Sequence, residues 1–257
     1  MSRAAAAEGR LRREPDEPTR ADVDALRATH EAVLERINAA ALRAGRDPAD
    51  VALVAVSKSV PAARLRAALA AGIATFGENR VQEAESKVPA VDGGTWHMVG
   101  HLQANKAARA VILFDVIQSV DSAELARRLA TLAHQARDGR PLRVYLQVNV
   151  DRDPGKAGFG AETLESLLPA LAGIEGLEIR GLMTVGRMVD RPEDARPTFR
   201  SLRELSARLR KGEPRLGVGL SMGMSDDFEV AVEEGATLVR IGRALFGDRP
   251  NTANERA

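Results

Sequence analysis

A lysine follows a run of residues that is suited to a buried strand. Residues 51–57 read VALVAVS, and Lys58 comes directly after them. A lysine in this position is often a surface residue whose stem lies on apolar neighbours while its ammonium stays in water. If the strand opens into a pocket, desolvation and a nearby arginine would lower the pKa of the amine and make it a nucleophile toward aldehydes. Lys58 is therefore a candidate for Schiff-base chemistry, with the aldehyde supplied by a substrate or by a cofactor.

Two glycine-containing segments near the C-terminus are candidates for phosphate binding. SMGMSDD begins at Ser221 and RIGRALFG at Arg240, each at the end of a predicted strand. Gly223 and Gly242 would let the backbone approach an anion, the Ser221 hydroxyl would add a donor, and the amides of Gly242 and Arg243 would open the last helix toward it. Glycines near strand ends are more often simple turns. A phosphate opposite an aldehyde-reactive lysine, however, describes pyridoxal phosphate.

The elements that must position these residues alternate regularly along the chain. The first is a helix predicted over 20–44, and eight β-rich runs then alternate with helical segments. The runs cover residues 51–57, 74–79, 96–100, 114–120, 142–150, 179–185, 216–222 and 237–242. Strict alternation predicts parallel strands joined by crossover helices, and eight units in about 200 residues fit a closed barrel. We predict an α/β fold, a TIM-type (β/α)8 barrel with an extra N-terminal helix, with an open doubly wound sheet as the alternative.

In a barrel of this type the active site lies at the carboxyl ends of the strands. Those ends carry polar residues where a packed interior would carry Val, Ile and Leu. They include Lys58, Asn79, His97, Asn149, Ser221, Arg240 and Arg243. His97 could be a base, or it could be hydrogen-bonded into the rim. Lys87 and Lys106 are expected on solvent-exposed faces.

Composition favours small-molecule chemistry. The 257 residues contain 37 Lys and Arg against 36 Asp and Glu, so the net charge of +1 offers no handle for nucleic acid or an anionic membrane. No cysteine is available for disulfides, thiolate nucleophiles or cysteine metal sites, and no metal is implied. No apolar run has the length of a membrane span or a signal peptide, which predicts a cytoplasmic protein. We expect a disordered leader over 1–19, one domain over 20–248 and a tail over 249–257.

Several ordered motifs resemble one family. AVSKSVP, FGENRVQE, WHMVGHLQANK, QVNVDRDPGKAGF, RGLMTV and LSMGMSDDFEVAVEEGATLVRIGRALFG follow one another in this order. They are similar to the pyridoxal phosphate homeostasis protein family, a relative of the alanine racemase barrel domain, over residues 20–248. The resemblance implies one barrel that holds pyridoxal 5'-phosphate as a Schiff base and acts in intracellular vitamin B6 and amino-acid homeostasis.

The resemblance also implies roles for individual residues. Lys58 matches the lysine that is linked to the cofactor, and Arg240 the arginine that faces the pyridine nitrogen. Ser221, Gly242 and Arg243 match phosphate-binding positions. The implied pocket-lining residues are Asn79, Met222, Gly223 and Met224.

Three functions remain open at this point. A carrier would hold the cofactor on Lys58 and release it to apoenzymes. A low-turnover racemase is the alternative, but an arginine leaves the pyridine nitrogen unprotonated and weakens the ring as an electron sink. Racemases of this type also use a tyrosine from a second domain, whereas Tyr145, the only tyrosine here, is expected to be a packing residue. Without that domain the usual dimer interface is missing, so we expect a monomer. A cofactor-free Schiff-base aldolase is the third possibility.

Overall fold

The strands form one closed ring. The computed structural model describes residues 17–247, and within them eight parallel strands pair in chain order, with β1 against β8 closing the barrel. The strands are β1 (Ala52–Val56), β2 (Thr75–Glu78), β3 (Thr95–Met98), β4 (Val116–Val120), β5 (Leu142–Gln147), β6 (Leu177–Met183), β7 (Gly219–Ser221) and β8 (Leu238–Ile241). The TIM-type barrel is thereby confirmed, and the open sheet is excluded.

Helices cover the outside of the ring. They are α1 (Arg20–Arg43), α2 (Ala62–Ala70), α3 (Val81–Lys87), α4 (Ala107–Leu113), α5 (Ala123–Ala136), α6 (Ala161–Ala172), α7 (Arg196–Gly212), α8 (Phe228–Glu233) and α9 (Arg243–Phe246). Short 3-10 turns precede β1, α4 and α7 and follow α3. No helix between residues 17 and 247 is long and apolar enough to cross a membrane.

The core has two parts, as the alternation of side chains along each strand requires. The larger part lies between the strands and the helices and contains Phe76, Ile117 and Leu146. The smaller part fills the barrel with Val54, Val99, Val116, Tyr145, Met183 and Leu238. Tyr145 is thus confirmed as a packing residue.

One close approach in the ring requires a glycine. Gly181 on β6 has a φ of 150°, and a Cβ there would overlap the Gly219 carbonyl of β7. The two backbones can therefore lie side by side only without a side chain at this point. In the register of β6 and β7, Gly181 is paired with Gly219, and β7 carries Ser221 at its carboxyl end.

The added helix α1 begins at Arg20, the residue at which the sequence predicts it. Thr19 accepts a hydrogen bond from the Asp22 amide at 3.1 Å, and the Asp22 carboxylate accepts from the Thr19 amide, a capping box that fixes the first turn. Arg36 of α1 pairs with Glu229 at 2.9 Å and lies over the Phe228 ring. The domain boundary at residue 19 stays a prediction, and the leader before residue 17 and the tail from 249 lie outside the described residues.

Candidate functional site

A chain of hydrogen bonds crosses the interior of the barrel. Arg240 Nη1 donates to Ser221 Oγ at 2.6 Å, and Ser221 Oγ donates to Gln118 Oε1 at 2.6 Å. Gln118 Nε2 then pairs with His97 Nδ1 at 2.7 Å, and Arg240 Nη2 donates to Thr184 O at 2.8 Å. Ser221 lies on β7 and Gln118 on β4, two strands that are not neighbours, so this bond must span the interior. Sequence reasoning missed Gln118, which lies in the middle of β4.

Burial and hydrogen bonding determine the protonation of Arg240 and His97, the residues at the two ends of this hydrogen-bond network. Burial lowers the pKa of Arg240 to about 10, against the attraction of Asp227, and the guanidinium stays charged at neutral pH. Since Gln118 uses its oxygen to accept from Ser221, its amide nitrogen must donate to His97, so Nδ1 of that ring is unprotonated. Burial also lowers the pKa of His97 to about 4. Of the two roles left open for His97, the geometry favours the hydrogen-bonded one.

Acidification will destabilise the fold through His97. Its folded pKa of about 4 lies below the ordinary value of 6.5, because burial disfavours the imidazolium. Between these values the unfolded chain binds a proton that the folded chain does not, so the free energy of unfolding falls as pH drops through this window. At about 1.4 kcal/mol per unit, His97 should contribute a loss of about 3 kcal/mol from pH 7 to pH 4.

Denaturant titrations at both pH values will measure this contribution. His97→Gln keeps an oxygen that can accept from Gln118 but cannot titrate, so the variant should lose about 3 kcal/mol less than the wild type. Other buried groups titrate equally in both proteins and cancel in the comparison. An identical pH dependence of the two proteins would contradict the assignment.

Two backbone amides converge on a hydroxyl beside the end of β8. The N–H groups of Gly242 and Ala244 donate to Ser225 Oγ at 3.3 and 3.4 Å. The Arg243 side chain instead pairs with Asp226. The Ser221 hydroxyl is engaged inside the barrel with Arg240, and its contact with a phosphate stays a prediction. Ser225 is the serine whose hydroxyl lies where the two amides converge. Its place within SMGMSDD was the signal that could have identified it.

The residues predicted to line the pocket differ in their placement. Met222 is 0% exposed and its side chain packs in the outer core, and its pocket-lining role stays a prediction. This packing follows from alternation, because Ser221 faces the interior and the next residue must face outward. Met224 is exposed, and Gly223 has a φ of 91° with its Cα against Ala231.

Asn79 borders a cavity beside the barrel mouth. The cavity has a volume of about 740 Å³ and lies between the GENRVQE and HLQANK segments. Gly100 packs directly on the Asn79 backbone, where a Cβ would overlap the Asn79 carbonyl. Asn149, by contrast, folds its own loop, since its amide nitrogen donates to Asp153 O at 2.7 Å and to Lys156 O at 3.2 Å.

Lys58 is half-buried in the turn that follows β1. Val54 and Val56 of that strand pack in the barrel interior, and Lys58 continues their alternation. The neighbouring strand β8 runs alongside, with Ala55 opposite Ile241, so Gly242 lies against the Val56 carbonyl. The lysine and the amide pair at Ser225 thus follow adjacent strands at the same end of the barrel.

Comparisons with known proteins agree with this fold. The family described as "Alanine racemase, N-terminal domain" matches residues 30–250. A protein of Pseudomonas aeruginosa named "Pyridoxal phosphate homeostasis protein" is 44% identical over 220 residues, which cover 84% of this chain and 93% of that protein.

Solved structures match over most of the chain as well. The structure of PipY from Synechococcus elongatus with PLP bound has a TM-score of 0.73 at 42% identity, covering 84% of this chain and 100% of PipY. Alanine racemase from Corynebacterium glutamicum has a TM-score of 0.66 at 20% identity, covering 91% of this chain and 64% of the racemase. At that identity the racemase shows the shared fold alone.

Proposed function

The chain belongs to the pyridoxal phosphate homeostasis protein family, and on that premise we propose that it holds pyridoxal 5'-phosphate on Lys58. The observation that carries the proposal is the pairing of a turn lysine with an anion-binding donor set at one end of the barrel. PipY, the relative whose structure is described with PLP bound, supports the cofactor assignment. The protein acts in cofactor homeostasis, and vitamin B6 aldehyde is its ligand.

The aldehyde end of the ligand meets Lys58. The neutral amine attacks the aldehyde carbon, a C=N bond forms, and the oxygen leaves as water. The half-buried position of Lys58 at the carboxyl end of β1 supports this step.

The phosphate end meets the Ser225 hydroxyl and the amides at the start of α9. Gly242 N–H and Ala244 N–H already point toward one oxygen, and a phosphate oxygen can take that place. The Arg243 amide lies between them in the chain, in keeping with its predicted role. Gly223 supports the loop through its carbonyl, which accepts the Arg240 amide at 3.0 Å. Asn79 and Met224 remain proposed contacts at the rim.

Arg240 faces the ring nitrogen and favours a holding role over catalysis. When bound, pyridoxal phosphate supplies a conjugated ring that can withdraw electrons from an attached amino acid, most strongly when its nitrogen is protonated. A charged guanidinium can only donate to that nitrogen, and its pKa of about 10 keeps Arg240 charged. The ring is thereby a weak electron sink, which supports a carrier that is not primarily an enzyme.

The proposal extends to the cellular role. A single domain over residues 20–248 works as a monomer in the cytoplasm and passes the cofactor to PLP-dependent apoenzymes. The near balance of 37 basic and 36 acidic residues supports small-molecule and protein partners over nucleic acid. A low-turnover amino-acid racemase is the second candidate, favoured by the match of residues 30–250 to the alanine racemase N-terminal domain family.

Transfer in the presence of a phosphatase that destroys free pyridoxal phosphate will test the carrier. The loaded protein should activate an added PLP-dependent apoenzyme under these conditions, whereas an equal amount of free cofactor should not. Equal failure of both would contradict a carrier. In parallel, exchange of the α-hydrogen of L-alanine in D2O, followed by mass spectrometry, should not exceed that of free cofactor; a faster rate would favour the racemase.

A further inference from the structure

The turn that carries Lys58 has a strained backbone. Ser57 O accepts the Val60 amide at 2.9 Å and closes a turn with Lys58 and Ser59 at its centre. Ser59 has a φ of 64°, in the left-handed region that residues other than glycine rarely adopt. Since Lys58 is a central residue of this turn, relaxation of Ser59 to a negative φ would redirect the lysine side chain.

A buried lysine holds the peptide group on one side of Lys58. Lys87, the last residue of α3, is only 7% exposed, and its Nζ donates to Ser57 O at 2.8 Å. The same ammonium contacts Glu78 Oε1 at 2.8 Å and Glu83 Oε2 at 3.0 Å. The solvent-exposed face expected for Lys87 is therefore wrong. We call Lys87, Glu78 and Glu83 the Lys87 cluster.

A carboxylate of the same cluster holds the peptide group on the other side. Glu83 Oε2 accepts the Ser59 amide at 2.8 Å, and it is the oxygen that also binds Lys87. Burial raises the pKa of Glu83, but the Ser59 amide and the Lys87 ammonium together lower it by more, so the net shift of the pKa is downward. The strained residue is thus fixed by a charged acceptor, and the two peptide bonds flanking Lys58 share one ammonium–carboxylate pair.

The Lys87 cluster lies behind the barrel wall. Gly77 faces the interior, where a Cβ would meet Val54, so the next residue, Glu78, faces outward toward α3. Ser57 also binds Glu78 on that side, through its hydroxyl at 2.6 Å. The cluster therefore contacts the turn from the side opposite the barrel interior, and Glu83 also lines the cavity that Asn79 borders.

Burying the charged groups of the Lys87 cluster carries a desolvation penalty that apolar side chains would avoid. Burial raises the pKa of Glu78, although the Lys87 ammonium and the Ser57 hydroxyl oppose that shift. Glu78 Oε2 has no hydrogen-bond partner among residues 17–247. Apolar side chains of similar volume often stabilise a fold as well as a buried ion pair does. What apolar side chains would not provide is the pair of bonds to Ser57 O and Ser59 N–H.

We propose that Lys87 and Glu83 are positioning residues that lock the turn and so aim the Lys58 amine at the ligand aldehyde. The inference rests on the proposed function, in which Lys58 carries pyridoxal phosphate. Lys87 and Glu83 do not touch the ligand. They hold the amine in place before the aldehyde arrives, which reduces the reorganisation needed for the C=N bond to form.

Stopped-flow mixing of Lys87→Met with pyridoxal phosphate tests this role. The substitution keeps a long side chain but removes the bond of the ammonium to Ser57 O and its contacts with Glu78 and Glu83. The rate of appearance of the visible imine band should fall at least roughly tenfold. The circular dichroism of that band, at saturating ligand, should fall as well, because a mobile linkage no longer holds the ring in one orientation.

Three further variants separate positioning from stability. Lys87→Met combined with Glu78→Gln removes the carboxylate charge left without its partner, so it should regain thermal stability without regaining the rate. Glu83→Gln retains an oxygen that can accept from Ser59 and should stay near the wild-type rate, whereas Glu83→Ala should be slow. This Glu83 pair carries the test even if Lys87→Met fails to fold. Lys211→Met, on an exposed site of α7, is the matched control.

The outcomes distinguish the two proposals. If the wild type forms no imine band, the proposed function of Lys58 fails. If the wild type forms the band but Lys87→Met and Glu83→Ala match it in rate and dichroism, the positioning role fails while the proposed function stands. Recovery of the rate together with stability in the double variant would also overturn the inference, because it would show a purely structural cluster.

Discussion

Lys58→Ala will abolish the visible absorption band that forms when the protein is mixed with pyridoxal phosphate. Without the amine no C=N bond can form, and the band belongs to that bond. The fold should persist, because a half-buried side chain in a turn contributes little to the core; the free energy of unfolding should change by less than about 1 kcal/mol. Absorbance titration and denaturant unfolding of the same samples provide both quantities.

A neighbouring lysine provides the control for this prediction. Lys106 lines the cavity beside the mouth but does not follow a barrel strand, and Lys106→Ala should keep the full band. A band of unchanged intensity in Lys58→Ala would place the reactive amine elsewhere. Loss of the band together with unfolding would instead mean that Lys58 is structural.

Ser225→Asp will weaken pyridoxal phosphate binding by at least about a hundredfold. The carboxylate would lie where Gly242 N–H and Ala244 N–H converge and would accept both bonds itself. A phosphate would then lose donors worth about 1.5–3 kcal/mol each and meet a like charge. Because the new carboxylate satisfies the same amides, the thermal midpoint should not fall.

Pyridoxal without its phosphate is the matched ligand for this test. It can react with Lys58 but has no anion to place at Ser225. Pyridoxal should bind the wild type more weakly than pyridoxal phosphate does, but its affinity should be nearly the same in Ser225→Asp. Ser225→Ala should show a smaller, roughly tenfold loss of affinity for pyridoxal phosphate. Equal weakening of both ligands would mean that the phosphate binds elsewhere.

The sequence predicted the architecture because each of its signals is local. A strand that precedes a helix reveals itself within about ten residues, and eight repeats of that pattern leave few topologies. Lys58 and Arg240 were identified for the same reason, since the end of a strand marks the mouth of a barrel. The ends of the strands were less well determined. The run over 142–150 continues apolar past Gln147, but the regular ladder ends there because Asn149 folds the loop.

The contacts of the site that the sequence did not reveal join partners that are remote in the chain or depend on which side a residue faces. Ser221 and Ser225 lie in one motif, and only the direction of β7 decides that the first bonds Arg240 inside the barrel. Gln118 reaches its serine partner across 103 positions, which no local pattern records. Lys87 is on a short helix whose polar residues suggest solvent, and its burial follows from the packing of α3 against β2.

Borohydride reduction followed by peptide mass spectrometry tests the central claim most directly. Reduction converts a C=N bond into a stable C–N bond and so records which amine held the ligand. After incubation with pyridoxal phosphate, the adduct should be found on the peptide that contains Lys58, at near-stoichiometric yield. Absence of any adduct at saturating ligand, or an adduct located only on another lysine, would contradict the account.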